Sequence, residues 1–563
     1  MSETRSCQNC SKDFVIEPED FDFYKKIHVP APTFCPDCRF QRRLMFRNER
    51  TLYKRSCDLC QTGFLSIMNP DKGTKVLCGK CWWGDAWDQY EHGMDYDPSR
   101  SFFEQFKELQ YKNYWMDRIV DHGTLVNSDY INHAGDCKDC YLIYNADHCQ
   151  NVLYSTVIVH TTDAADCTMV GGGSLQYELV GGKGTQLFFS EGCSGSSNLT
   201  FCKDCINCTD CFGCINLRNK SYCIWNEQYT KEEYEKRIAE YKTDRYSEIQ
   251  KLRQQAYEFW LQFPRKYYHG FFNVDSSGEY VFRSKNSHFL YQSMECEDSK
   301  YCQYITIGPT KDCYDYTEWG MNSERVCDSI TVGENCSDIK YCFGSWGNTR
   351  NNEYCMIVPG SEDCFGCVNL KKGKYCILNK QYSKEEYEKL REQIINDMNE
   401  HPYIDSKSRV WKYGEFFPYD LSMFDYNESH AASIFPLDKE KATANGFRWQ
   451  DERASSHQIT LPVESIPDSI HDIDDSVLRE ILGCSDCGKV YRIVAAELEL
   501  LKRFKFPIPR KCPDCRHMDR LARINPPQLW KRVTEDGVEV MTAYAPDRPE
   551  KIYSEEGYNN LVN

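Results

Sequence analysis

Between residues 137 and 376 the apolar positions fall in short β-branched and aromatic runs rather than helical stripes. YLIYN (141–145), NVLYSTVIV (151–159), Tyr301–Gly308 and DSITVG (328–333) are interspersed with Gly, Asn and Asp. Short strands with turn signals at a steady interval predict a coiled β architecture. Helical patterns interrupt it. Thr230 with Glu233, and Ser383 with Glu386, have the spacing of capping boxes, in which each residue satisfies the other's free amide. Tyr234, Ile238, Tyr241, Ile249, Leu252 and Trp260 then recur at roughly helical spacing, a stripe that predicts a face docked on the β region. Residues 396–480 lack either period but are rich in aromatics, as in WKYGEFFPYDLSMFDYNES (411–429). They read as an irregular strap along the solenoid. The acids of HDIDDSVL (471–478) are explained by a helix N-terminus.

The chain carries 33 cysteines: eight in 7–81, twenty-one in 137–376 and four in 484–515. In the middle block, pairs nine residues apart recur, such as 140/149, 202/211 and 355/364. Twice nine predicts coils of roughly 18 residues, each stacking a small inward side chain on the next. Free cysteine is compact and prefers burial, so it suits that position. FCKDCINCTDCFGC places Cys202, Cys205, Cys208, Cys211 and Cys214 three apart, which is part of an iron–sulfur spacing without its C-x3-C-P ending.

Two duplications organise the chain. DCFGCINLRNKSYCIWNEQYTKEEYEKR (210–237) returns as DCFGCVNLKKGKYCILNKQYSKEEYEKL (363–390), 153 positions on. In that copy Val358 replaces Cys205 and Ser361 replaces Cys208, while Cys202, Cys211, Cys214 and Cys223 persist. The persistent set follows the nine-residue ladder rather than a cluster. The second duplication joins the ends: Cys7, Cys10, Cys35 and Cys38 recur 477 positions later as Cys484, Cys487, Cys512 and Cys515. FCPDCRFQRRL (34–44) returns as KCPDCRHMDRL (511–521), and Leu52–Arg55 as Leu529–Arg532.

Paired C-x2-C knuckles separated by 24 residues are zinc-ribbon or treble-clef spacing, each knuckle giving two thiolates to a tetrahedral ion. The N-terminal copy adds Cys57, Cys60, Cys78 and Cys81, with 17 residues between pairs. All four positions of each site are filled by sulfur, so the sites read as structural. The count predicted is three zinc ions per chain. The C-terminal copy has Thr534, Gly537, Ser554 and Gly557 where the second tetrad would fall, and reads as a module that has lost one site and holds its shape by packing, for example with Trp530, Tyr544 and Tyr553.

RFQRRLMFRNERTLYKR (39–55) reads as a basic helix, and 502–532 holds ten Lys or Arg against two acids. Arg39, Arg42, Arg43, Arg47, Arg516, Arg520 and Arg523 are therefore candidates for phosphate-backbone contacts. The competing reading is a solvated charged face, or arginines paired with the acidic middle of the same chain. The net charge of −17 favours that second reading.

There is no G-x-G-x-x-G, P-loop, H-E-x-x-H or nucleophile elbow, so no residues support an enzyme. No stretch approaches the roughly 18 apolar residues of a membrane span, and MSETRSCQNC has no secretory h-region. Thiol-rich without a leader, the chain reads as cytoplasmic, with cysteines reduced or metal-bound. CPDCR before an Arg-rich helix, DCFGC-N-L…YCI-N-QY-KEEYE and the ending YAPDRPEKIYSEEGY resemble a group of uncharacterised cysteine-rich zinc-ribbon (treble-clef-like) proteins of candidate-phylum bacteria. The resemblance implies zinc binding and no established activity.

The fold class expected is mainly β with α: a duplicated cysteine-ladder β-solenoid flanked by zinc-ribbon/treble-clef modules and capping helices. The expected division is a double zinc module (1–100), a first solenoid (101–228), a helix (229–270), a second solenoid (271–380), a helix (381–400), the strap (401–480) and a C-terminal zinc module with a degenerate second site (481–563). The leading role is a non-enzymatic zinc-binding scaffold or interaction protein. The alternatives are a nucleic-acid- or ribosome-associated protein using the basic helices, and an iron–sulfur, redox or metal-storage protein using the middle cysteines. The partner expected is protein or RNA, not membrane.

Overall fold

The computed structural model describes residues 1–451 and 457–562. Residues 452–456 of the expected strap and Asn563 of the expected C-terminal module lie outside the described residues. Two parallel β-solenoids form the body. One runs from Asn132–Lys138 to Ser221–Ile224, the other from Gly270–Phe271 to Lys374–Ile377. No helix among the described residues is long and apolar enough to cross a membrane.

The coil is shorter than the cysteine spacing suggests. Asn132 pairs with Tyr144, Tyr144 with Thr156 and Thr156 with Thr168, a repeat of twelve residues rather than 18. One coil of the first solenoid has eleven (Val180↔Glu191), and the second solenoid admits thirteen or fourteen (Thr310↔Ser323, Cys296↔Thr310). The unit below the coil is a triplet. From Asp136 to Met169 every third residue has φ near +50°, and each is followed by a buried residue: Cys137, Cys140, Ile143, Ala146, Cys149, Val152 and onward to Val170. Each coil is thus a four-sided turn of three-residue sides.

This geometry explains the composition. A left-handed corner costs an ordinary L-residue about 1–2 kcal/mol, and Asn and Asp least among those with side chains. The corners are accordingly rich in Asn and Asp, and they stack: Asn127 donates to Asp139, Asn151 to Asp163, Asn286 to Asp298 and Asn351 to Asp363 in neighbouring coils. The bore is filled largely by Cys, Ser, Ala, Val, Ile and Leu. Nine residues is three sides of one coil. It brings a thiol under the carbonyl of the next coil, as in Cys140 Sγ to Cys149 O at 3.5 Å and Cys202 Sγ to Cys211 O at 3.5 Å. Eighteen is one and a half coils and has no structural meaning here.

Each solenoid ends in a short antiparallel return, Ser221–Ile224 with Glu227–Gln228 and Lys374–Ile377 with Lys380–Gln381. Both returns lead to the capping boxes at Thr230 and Ser383. After the first there are two helices, Lys231–Ile238 and Tyr246–Trp260, not one. Tyr234, Ile249, Leu252 and Trp260 are buried in one cluster with Phe212 and Ile224 of the solenoid. The strap of 3-10 turns and short helices packs Trp411, Phe416, Phe417 and Tyr426 into the core shared by the N-terminal module and the second solenoid.

Candidate metal centres and the clamp they build

Three four-cysteine groups converge: Cys7, Cys10, Cys35 and Cys38; Cys57, Cys60, Cys78 and Cys81; Cys484, Cys487, Cys512 and Cys515. In each group all four sulfurs lie within 4.8 Å of one another. The local architecture is the same three times. The first pair sits in a hairpin turn between the short strands Glu3–Ser6 and Asp13–Ile16, Tyr53–Ser56 and Gly63–Ser66, and Leu482–Gly483 and Val490–Tyr491. The turn is closed by a left-handed residue after the second cysteine, Ser11, Gln61 or Gly488. The second pair opens a helix, Pro36–Leu44, Gly79–Trp83 or Pro513–Leu521, with Cys35, Cys78 or Cys512 as its N-cap.

Backbone amides already stabilise the sulfurs. Cys35 N donates to Cys7 Sγ at 3.2 Å, Cys78 N to Cys57 Sγ at 3.4 Å and Cys512 N to Cys484 Sγ at 3.2 Å. The Sγ–Sγ separations of Cys10–Cys35, Cys60–Cys78 and Cys487–Cys512 are 3.7, 3.8 and 3.8 Å. Four thiolates ~2.3 Å from a tetrahedral ion have edges of about 3.8 Å. The groups therefore fit a four-coordinate metal with no open position.

The middle cysteines do not converge in this way. Cys202, Cys205, Cys208, Cys211 and Cys214 occupy successive walls of the bore and are fully buried. Among the described residues, the cysteine groups with mutually close sulfurs are the three tetrads. The spacing of three, which suggested a cluster, is the triplet period of the coil. None of the 33 cysteines forms a disulfide.

The seven arginines weighed as a phosphate-binding face are placed inside. The helix expected over 39–55 ends at Leu44, and Tyr53–Ser56 is a strand; the basic stretch 502–532 spans the end of helix Ala495–Phe504 and helix Pro513–Leu521. Arg39, Arg42, Arg43, Arg47, Arg516 and Arg520 are buried, and Arg523 is half-buried. They bind carboxylates of the same chain. Arg39 lies 2.9 Å from Asp315, Arg42 2.7 Å from Asp328 and 3.0 Å from Glu415, and Arg43 2.7 Å from Asp328. Arg47 pairs with Glu318 and, at 2.8 Å, with Glu49. Arg516 pairs with Asp166 and, at 3.0 Å, with Glu497, while Arg520 lies 2.6 Å from Asp166. Burial raises the Asp328 carboxyl, but Arg42, Arg43 and Arg39 together outweigh it and hold it below its ordinary value.

The pairing crosses the molecule. The arginine helix Pro36–Leu44 of the N-terminal module grips the second solenoid and helix Pro513–Leu521 of the C-terminal module the first, while Asn48 and Asn525 link each module to the other solenoid as well. The receptor residues Asp166, Asp315 and Asp328 carried no separate signal in a reading organised by cysteines. The available one was the triplet Asp-Cys-Thr (166–168) against Asp-Tyr-Thr (315–317).

Where the sequence suggested a degenerate second site, the C-terminal module is held by hydrogen bonds. Asp536 accepts from Ser554 N at 3.0 Å and from the Ser554 hydroxyl, and Ser554 Oγ accepts from Gly557 N at 3.0 Å. Thr534 Oγ1 closes the turn by accepting from Val538 N at 3.0 Å. Tyr544 is buried beneath it.

No protein-family model matches the chain, and no curated protein matches it. Among solved structures, one described as a "putative acetyltransferase" from Desulfovibrio desulfuricans G20 is similar at 12% identity, over 51% of this chain and 84% of that one, with a TM-score of 0.10. A likeness of that size carries no argument about fold or activity.

Proposed function

We propose that this chain is a non-enzymatic, zinc-stapled scaffold or interaction protein of a reducing, cytoplasmic compartment, binding three zinc ions. Cys7, Cys10, Cys35 and Cys38 hold the first, Cys57, Cys60, Cys78 and Cys81 the second, and Cys484, Cys487, Cys512 and Cys515 the third. One observation carries the reading. In two of the tetrads the second cysteine pair opens the very helix whose arginines grip a solenoid. Zinc there fixes the angle at which the helix leaves the knuckle, and so closes the clamp. With four thiolates per ion no site is left for water or substrate, which supports a structural role over a catalytic one.

The same arginines argue against the nucleic-acid reading, because a guanidinium committed to a buried carboxylate is not available to phosphate. The outer walls of the solenoids are the surface left for a partner protein. The test is metal analysis of protein purified without added zinc, followed by chelation. Three zincs, with loss of protease resistance on chelation, are expected. Full compactness in the metal-free chain would defeat the proposal, as would tight salt-dependent binding of RNA.

A further inference from the structure

We propose that the cleft between helix Tyr246–Trp260, the segment 507–511 and helix Pro513–Leu521 binds a small phosphate-bearing molecule. Its volume is about 320 Å³, and six cationic side chains line it against two carboxylates, Glu178 and Asp519. Four of the six are engaged. Arg516 and Arg520 hold Asp166, Arg253 lies 2.8 Å from Glu178, and Lys511 lies 2.6 Å from Asp486 and 2.8 Å from Asp519.

Arg510 and Arg523 are different. Arg510 is only 7% exposed. Its Nη2 donates to the carbonyls of Ile466 and Pro467 at 3.0 and 2.8 Å, while its buried Nη1 has no partner. Among the described residues it forms no ion pair. Arg523 meets one carboxylate, Glu191, at 3.8 Å, and Glu191 is already held by Lys203 at 2.5 Å. Its Nε is buried and unpartnered as well.

Asp468 acts on Arg510 through space without touching it; a buried guanidinium that no carboxylate contacts is disfavoured, and an anion from solution relieves it. Guanidinium groups present planar forks that match phosphate oxygens. Tyr246 fixes the plane of Arg510, with the guanidinium 4.8 Å from its ring centre. Tyr177 and Phe189 give the cleft an apolar side. A phosphate with a small organic group fits this combination of one cation that no carboxylate touches, one held only loosely, and aromatic walls.

The experiment is titration calorimetry on the intact, zinc-loaded protein with inorganic phosphate, pyrophosphate and AMP as separate probes. Saturable binding is expected, weakened at least tenfold by Arg523→Gln and by Arg510→Gln and unchanged by Arg283→Gln on the remote solenoid surface. AMP binding more tightly than inorganic phosphate identifies an ester held against the aromatic wall; equal affinities identify the free oxyanion. Circular dichroism checks the fold of the Arg510 variant, and Arg523, which is half-buried, decides alone if that variant unfolds. No binding of any probe at millimolar concentration overturns the proposal, as does equal affinity in the wild type and the Arg523 variant.

Discussion

Arg43 and Arg520 stand 477 positions apart and grip matching Asp-x-Thr tripeptides on opposite solenoids. Arg43 Nε donates to Thr317 Oγ1 at 2.9 Å, and its Nη1 lies 3.3 Å from Asp315. Arg520 Nε donates to Thr168 Oγ1 at 3.1 Å, and its Nη1 lies 2.6 Å from Asp166. Arg39 and Arg516, one helical turn earlier, reach the same two aspartates. The same helix–receptor geometry thus occurs twice, and in both cases the arginine helix grips the solenoid distant from it in sequence. That exchange ties the two ends of the chain to one body.

Asp166 is the keystone of the C-terminal dock, because it is fully buried between Arg516 and Arg520. Asp166→Asn keeps the volume and removes the charge, leaving two buried guanidinium groups without it. Breaking a buried pair in this way costs about 3–5 kcal/mol. The urea midpoint should fall accordingly, and helix Pro513–Leu521 should lose protection from amide exchange. An unchanged midpoint would show that packing alone holds the module.

How much of this was legible depended on period. The tetrads were, because C-x2-C spacing reports local geometry that needs no partner. The solenoid was legible as a class, through its short strands and turn residues. Its coil length was not, since the cysteine ladder records the three sides from Cys140 to Cys149 rather than the closed turn from Asn132 to Tyr144. The triplet of corner Asn or Asp followed by an inward residue carried the true period. The fate of Arg43 or Arg520 could not be read locally, because its receptor lies 274 or 352 residues away.

Acid should destabilise the fold. Asp328, Glu178, Glu191 and Glu353 are all held below their ordinary values: burial pushes each up, and neighbouring Arg or Lys more than compensates. A carboxylate depressed in the folded state adds stability above its unfolded value near 4, and that stability is lost as pH falls through the folded value. His133 acts in the same direction from a higher pH. Burial, with Arg47 beside it, keeps its imidazole well below 6.5, so the unfolded chain takes up that proton first as pH drops. Stability should be level between about pH 7 and 8, decline gently below 6.5 and fall steeply below 4; above about 8.5 it should fall again, because burial pushes bore thiols such as Cys167, Cys296 and Cys336 up and only the unfolded chain ionises them. Thermal melts across that range check the shape, and a melting temperature that rises on acidification below about pH 7 would contradict it.

Cys35→Ser removes a thiolate and leaves Cys7, Cys10 and Cys38 unable to complete a four-sulfur site. Structural zinc contributes ~10–16 kcal/mol of apparent free energy in small modules, so the first knuckle should unfold and release helix Pro36–Leu44 from Asp315 and Asp328. Metal analysis should find two zincs, and limited proteolysis should cut within the N-terminal module. Three zincs in this variant would place the ion elsewhere.

The bore cysteines should behave as packing. The second solenoid carries Val358 and Ser361 at the positions of Cys205 and Cys208, so the first should accept the same pair. Cys205→Val with Cys208→Ser is near volume-conserving, and such swaps cost under about 1.5 kcal/mol when shape is kept. Zinc content should stay at three and iron at zero. Loss of any metal would show that this stretch binds one.

The lost site offers the sharpest case, because the structure shows why substitution alone cannot restore it. In the N-terminal module strands Tyr53–Ser56 and Gly63–Ser66 enclose the turn 57–62, whereas Trp530–Val533 and Glu539–Thr542 enclose only 534–538. The C-terminal turn is one residue shorter than the N-terminal knuckle. Gly537 now turns the chain at φ 85°, and Asp536 replaces the ion as the centre that binds the helix start. Its carboxyl is held down at about 2, first by the Ser554 hydroxyl and then by the Ser554 amide and Thr534. A side chain on Gly557 would meet Asp536 Oδ2 at 2.3 Å. Thr534→Cys, Gly537→Cys, Ser554→Cys and Gly557→Cys together should therefore still give three zincs per chain. Replacing 534–538 by the six-residue turn Cys-Asp-Leu-Cys-Gln-Thr of 57–62, with Ser554→Cys and Gly557→Cys, restores the loop length and removes Asp536. That variant should bind four. If the four substitutions alone bind a fourth zinc, the shorter turn is not what excludes the site; if the grafted turn still yields three, the hairpin has diverged beyond the knuckle.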